Sequence, residues 1–292
     1  MQRKTSIMAV LATATMLTAT PALAQDTGDR ATHFNGFYIG AGGGYDMQSS
    51  DNRSDVVFDT DRNGSFDNTV ITRPAIGTGG NAFAPGFCSG FPTGGASNPP
   101  PGCSGDHDGA EYFGRIGYDR RMGNFVIGGL LEGGKTDVKD FTTAFSSTPA
   151  NYTFERGVDW MAAARLRAGY TPNGGILFYA TGGGVYANMR HRFYTTNTAN
   201  RFTPQGKDDA WGYQVGGGIE AMVTKHVSIG LEYLYTDIDD DNYSVGVTAG
   251  PGIVAPTANP FVAADGTGGT NMRPRDQSLN YHAMRGTVNF RF

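Results

Sequence analysis

In YHAMRGTVNFRF, residues 281–292, apolar or slim and polar side chains alternate strictly from Met284 on. Met284, Gly286, Val288, Phe290 and Phe292 share one side, and Arg285, Thr287, Asn289 and Arg291 share the other. A period of two over this length is a β-strand with one apolar and one polar face. Exposed on the edge of a soluble sheet, such an apolar stripe would template aggregation. It is satisfied if the apolar face meets lipid and the strand closes a barrel, which leaves no backbone group unpaired.

The N-terminus supports an exported chain. Arg3 and Lys4 precede an apolar run over 7–17, and Ala22-Leu23-Ala24 gives a small-residue cleavage pattern before Gln25. Residues 1–24 therefore read as a signal peptide, since the apolar run is shorter than the ~20 residues of a spanning helix. Without Arg3 and Lys4, 21 of the 23 basic residues face 27 acidic ones, a net charge near −6 that argues against nucleic acid as a partner. Glycine supplies 44 of 292 residues and the hydrophobic share is only 39%. That suits strands that need apolar residues on one face only. Cys88 and Cys103 are the only cysteines, and in an exported chain they read as one disulfide closing a short loop, with two free thiols as the alternative.

Seven further stretches read as strands, six of them alternating in the same way. After a polar lead-in at 25–35, Phe37, Ile39, Ala41, Tyr45 and Met47 form one face of a strand over 36–48. A strand at 111–121 directs Tyr112, Ile116 and Tyr118 outward and Glu111, Arg115 and Asp119 inward. The next, 125–135, turns Glu132 inward. The strand at 157–170 sets Trp160, Leu166 and Tyr170 against Arg165 and Arg167. The stretch 175–188 is apolar on both faces, so its inside is not assigned. Strands at 210–223 and 227–237 turn Gln214, Glu220 and Glu232 inward, with Trp211, Tyr213, Ile229 and Leu231 outward. The connections alternate long and short. Loops at 49–108, 136–155, 189–208 and 238–279 are long, and the turns near 122–124, 171–174 and 224–226 are short. This defines an all-β fold, an eight-stranded antiparallel up-and-down transmembrane barrel over 36–292 with long loops at one end.

The pieces FYIGAGGGY, RIGYD, FVIGGLLEGG, RLRAGY, YATGGGVYA, GYQVGGGIEA, IGLEYLYTDI and VNFRF, in this order, resemble the opacity-type, OmpA-like outer-membrane β-barrel family, including its small porin-like members. The resemblance implies a monomeric barrel in the cell outer membrane, surrounded by lipid and lipopolysaccharide. It also implies insertion by the barrel-assembly machinery, with the terminal Phe292 as its signal. It implies an envelope-structural, adhesin-like or narrow-pore role, and no enzyme.

Among residues able to carry chemistry, the alternation sends Arg115, Glu132, Arg165, Arg167, Glu220, Glu232, Arg285 and Arg291 into the lumen. A charge facing lipid at mid-membrane costs ~2–4 kcal/mol, and an eight-stranded barrel is just wide enough for side chains to fill. The expectation is an Arg/Glu network that plugs the lumen. A small-solute pore is the first alternative, and an outer-membrane enzyme the second. GLLEGGKT at 129–136 matches a phosphate-loop pattern but lies within an alternating strand, with no helix after Thr136, and reads as a chance match. In the first loop, Asp59, Asp61, Asn63, Ser65 and Asp67 follow the opening of a calcium loop, but Val70 stands where a bidentate glutamate belongs. Asp106 and Asp108 are candidate substitutes for it, and a plain polar turn with Asn63-Gly64 at its tip is the competing interpretation. The five histidines show no metal-ligand spacing, and no catalytic triad is legible. Apart from that calcium loop no cofactor is expected, and the long loops are expected to meet an extracellular surface ligand.

Overall fold

The computed structural model describes residues 33–48, 55–72, 79–94, 102–251, 258–262 and 268–292. Residues 1–24, expected to be a signal peptide, and most of the lead-in lie outside the described residues. In chain order, the strands begin with β1 (Gly36–Gln48), β2 (Val56–Asp59), β3 (Gly86–Ser89), β4 (Phe91–Pro92), β5 (Cys103–Ser104), β6 (Gly109–Met122) and β7 (Phe125–Thr136). Next come β8 (Lys139–Ser146), β9 (Ala150–Tyr170), β10 (Ile176–Thr195) and β11 (Asn200–Gln205). The chain ends with β12 (Asp209–Met222), β13 (Val227–Asp239), β14 (Ser244–Ala249), β15 (Thr270–Pro274) and β16 (Ser278–Arg291).

Eight of these close on themselves in the order β1–β6–β7–β9–β10–β12–β13–β16, with β16 returning to β1, and every pair is antiparallel. The opening stretch is the closing strand. Ala41 stands opposite Val288 on one side and Gly114 on the other. The period of two sorts the side chains: Phe37, Leu131, Leu166, Trp211 and Leu231 project outward and are exposed, whereas Arg165, Arg285 and Glu232 are buried. An outer wall of bare apolar side chains around a polar interior suits lipid outside. Inward glycines make room for the large ones. A Cβ on Gly42 would stand 2.4 Å from the Phe113 ring, and one on Gly117 would stand 2.4 Å from Tyr38.

At one end the strands meet in tight turns. Gly123 and Gly174 supply positive φ there (64° and 72°). The Asn173 Oδ1 accepts the amides of Gly175 (3.0 Å) and Ile176 (3.3 Å), which fixes the TPNG turn.

The opposite end differs from the loops expected there. The second loop is largely strand. β8 pairs with an extension of β9 that begins at Ala150 rather than Gly157, and β3 adds to β8. β10 likewise runs on to Thr195, past a register shift at Asn188/Met189. A second sheet, β11-β14-β15-β2, draws on the third, fourth and first loops. Val56, Phe58, Phe83, Tyr152, Phe154, Val245, Phe261 and Met272 are buried together between these elements. The loops thus have an apolar core of their own, which is what permits ordered structure outside the barrel. Cys88 and Cys103 are disulfide-bonded within this cap.

Candidate functional site

Strand spacing places the charged side chains. Arg165 and Arg167 lie two apart on β9, and Arg285 and Arg291 lie six apart on β16, so all four enter the lumen. They form two tiers. In the tier nearer the loops, Arg165 pairs with Glu132 (2.7 Å) and Glu232 (3.0 Å). Arg285 pairs with Glu111 (2.9 Å), Glu232 (3.3 Å) and Glu132, and stacks 3.6 Å above the Phe113 ring. Arg115 reaches Glu232 at 3.6 Å, and the Tyr179 hydroxyl donates to the same carboxylate at 2.9 Å.

In the tier nearer the short turns, Arg167 pairs with Asp119 and with Glu220 (2.9 Å), and Arg291 with Asp119 (2.8 Å) and Glu220 (2.6 Å). Ser228 donates to Glu220 at 2.5 Å, and Tyr38 lies between the two guanidiniums at 4.8 and 4.7 Å. Arg115 Nε, donating to Asn289 Oδ1 at 2.9 Å, joins the tiers. All eight charged residues that the alternation sends inward are buried and share these contacts. Glu111 and Asp119 also point inward in sequence, but only the structure shows that they complete the pairing. Five arginines then face five carboxylates. Removing charges from water costs several kcal/mol per ion, which a close multiple pairing offsets.

Apolar layers lie on both sides. Toward the loops, Val138, Met161, Val185, Met189, Ile238, Leu279 and Tyr281 fill the interior. Toward the short turns, Phe34 is fully buried against Val126, Leu177 and Tyr179, 4.9 Å from the Arg291 guanidinium. His33 Nδ1 contacts the Gly174 carbonyl at 2.9 Å, and Asn35 Oδ1 accepts the Arg121 amide at 3.2 Å. The end of the polar lead-in is therefore ordered and packed inside the short-turn end of the barrel. A single phenylalanine among polar residues gave no periodicity by which to find it. The unassigned face of the fifth barrel strand is also settled, with Leu177, Tyr179, Val185 and Ala187 inward.

The other candidates fall outside the lumen or within strands. Gly129–Thr136 lies on β7, with Lys135 opposite Tyr112, so its amides serve the sheet and cradle no phosphate. In the loop at 59–67, the Asp59 carboxylate accepts the amides of Asn63 (3.0 Å) and Gly64 (3.1 Å), Asn63 donates to Asp61 (2.9 Å), and Ser65 N donates to Asn63 (2.7 Å). Asp67 accepts from Asn68 at 3.3 Å. Asp106 accepts from Ser89 (2.9 Å) and the Phe141 amide (3.0 Å), and Asp108 from Tyr45 (3.2 Å) and the Gln48 amide (3.1 Å). Among the described residues no three His, Cys, Asp or Glu side chains come together to hold a metal. Burial, reinforced by Asp140, raises the Asp106 carboxyl above its ordinary range, and burial raises Tyr243. His191 stacks on Tyr243 (4.1 Å between centroids), with Nε2 2.9 Å from Asp240, and binds β10 to the segment after β13.

A closed antiparallel barrel, apolar outside and charged inside, with short turns at one end and built-up loops at the other, is an integral outer-membrane β-barrel. The chain belongs to the outer membrane protein beta-barrel domain family, whose profile matches residues 9–250. It is 23% identical over 182 residues to the 31 kDa outer-membrane immunogenic protein of Brucella melitensis, which covers 61% of this chain and 64% of that one. The chain thus matches just under two thirds of that relative's length. The 22 kDa outer membrane protein of Rhizobium leguminosarum bv. viciae is 31% identical over 91 residues, 31% of this chain and 39% of the other. Among solved structures, OprG from Pseudomonas aeruginosa is similar over 89% of this chain and 97% of its own, at 12% identity and a TM-score of 0.49. The protein resides in the outer membrane.

Proposed function

We propose that this protein is a closed, non-catalytic barrel that anchors a folded loop assembly at the cell surface for structural or binding purposes. The observation that carries this reading is the set of five arginines ion-paired with five carboxylates across the lumen, with apolar layers on either side. A general diffusion pore needs a continuous water path, whereas these side chains meet across the barrel axis. The cap has its own core and disulfide, as a surface for recognition requires. The Brucella relative's name, an outer-membrane immunogenic protein, fits a surface that other molecules meet. Phe292 is exposed beside Phe290 (5.1 Å between ring centroids), and its reading by the assembly machinery during insertion is part of this proposal. Swelling of liposomes that carry the refolded protein, in isotonic small sugars and amino acids, tests the reading. The expected rate matches empty liposomes, and porin-like swelling would favour the small-solute pore.

A further inference from the structure

At the far tip of the cap, three connections enclose a cavity of about 270 Å³. The turn between β8 and β9 gives Thr148 and Pro149, the turn between β10 and β11 gives Thr196 to Ala199 with Asn200 opening β11, and the fourth loop gives Asn259 to Phe261. At ~30 Å³ per water this is room for about nine waters, the scale of a monosaccharide rather than an extended peptide. Its floor is apolar, because Tyr152, Phe261, Ala82 and Ala150 are all buried in the cap core. Its rim is polar, with Thr148, Thr196 and Thr198 exposed.

No charged side chain lines the cavity among the described residues. An ionic ligand would lose hydration there and gain no counter-charge. The walls are held by their own hydrogen bonds. Asn197 Nδ2 donates to the Tyr152 hydroxyl (2.9 Å) and to Asn200 Oδ1 (3.2 Å), while its Oδ1 accepts the Ala199 amide (2.8 Å). Across the cavity, Asn259 Oδ1 accepts the Phe261 amide (3.1 Å), and Phe261 O accepts the Thr270 hydroxyl (2.9 Å). A pocket fixed before binding loses little entropy when it is filled.

The geometry points to a binding site for a neutral saccharide at the tip of the loop cap. A sugar ring has an apolar C–H face to set against the floor and hydroxyls around its edge for the threonines and asparagines of the rim. Such alternation of apolar floor and neutral hydrogen-bonding rim is what fixes a small polar ligand in place. This deepens the surface-binding reading above and rests on it.

The test uses the refolded full chain in a zwitterionic detergent, which carries no sugar headgroup. Saturation-transfer NMR is recorded with methyl glucoside, N-acetylglucosamine, maltose, sialic acid and a neutral tripeptide, each at ~10 mM, which detects millimolar affinity. The expected result is saturable transfer to at least one neutral sugar, weakened about tenfold or more in Thr148→Trp and in Thr198→Trp. Both positions are exposed, so neither change disturbs a packed core. Absence of transfer to every neutral sugar, transfer unchanged in both variants, or a preference for sialic acid or the tripeptide would each overturn the assignment. Failure here with a silent lumen removes the sugar site alone, whereas an open lumen removes the reading beneath it.

Discussion

Glu232→Gln is the sharpest perturbation of the lumen. One carboxylate there meets Arg165 at 3.0 Å, Arg285 at 3.3 Å, Arg115 at 3.6 Å and the Tyr179 hydroxyl at 2.9 Å. The amide keeps the shape and can still accept one hydrogen bond, so the change isolates charge. It leaves three buried guanidiniums facing only Glu111 and Glu132. Breaking a buried pair costs roughly 3–5 kcal/mol, because the remaining charge has lost its compensation. We expect a loss of that order in urea titrations of the protein refolded into vesicles. The emission of Trp160 and Trp211, both exposed on the outer wall, reports the transition. Adding Arg165→Gln removes one of the uncompensated cations. The double variant should therefore recover at least ~1 kcal/mol relative to the sum of the singles, within the range of couplings measured for contacting groups. A Glu232→Gln loss below ~1 kcal/mol, or strictly additive singles, would refute a network in which the charges depend on one another.

Three further outcomes follow from the same structure. Leu166, 74% exposed on the outer wall, should tolerate no cation. Leu166→Arg is expected to lower barrel stability in vesicles by ~2–4 kcal/mol, and an unchanged midpoint would misplace the lipid face. Reduction of Cys88–Cys103, which are 15 residues apart, should loosen the cap by about 3 kcal/mol and expose it to protease while the barrel strands stay protected. Asp106 has a raised folded-state pKa, caused first by burial and then by Asp140, so folding favours its protonated form. Its contribution is complete below the ordinary aspartate range and is lost as pH rises through the folded-state value. Hydrogen exchange in β8 should accordingly quicken over that rise beyond the intrinsic pH effect, and Asp106→Asn should flatten the excess.

Legibility in the sequence tracked the contrast between the two faces of each strand. β1 was bounded to the residue, and β16 to within three residues at its start and one at its end, because a lipid face and a charged face alternate along them. The eight inward charges were located for the same reason. Where both faces are buried, the signal vanishes. The start of β9, Ala150 to Val158, is buried throughout and carries no period of two. The lower part of β10 faces lipid on one side and the apolar layer beneath the ions on the other, so polarity could not orient it. The sheet of β2, β11, β14 and β15 joins segments as distant as Asp59 and Asn271, a pairing that no local pattern encodes. In the first loop, the calcium-like spacing coincides with a turn in which Asp59 already accepts two backbone amides. A carboxylate-rich turn and a calcium loop share that spacing, and only the arrangement of the surrounding acids distinguishes them.

Single-channel recording in planar bilayers distinguishes a filled lumen from a conducting one. The intact protein should insert and give no steps of porin size, because Arg165, Arg167, Arg285 and Arg291 meet their carboxylates across the lumen. Arg165→Gln and Glu220→Gln should remain silent as well, since each keeps its bulk in the interior. Stable, ohmic steps from the intact protein, shifted in ion selectivity by either substitution, would show a conducting path through these residues and a lumen that is not plugged.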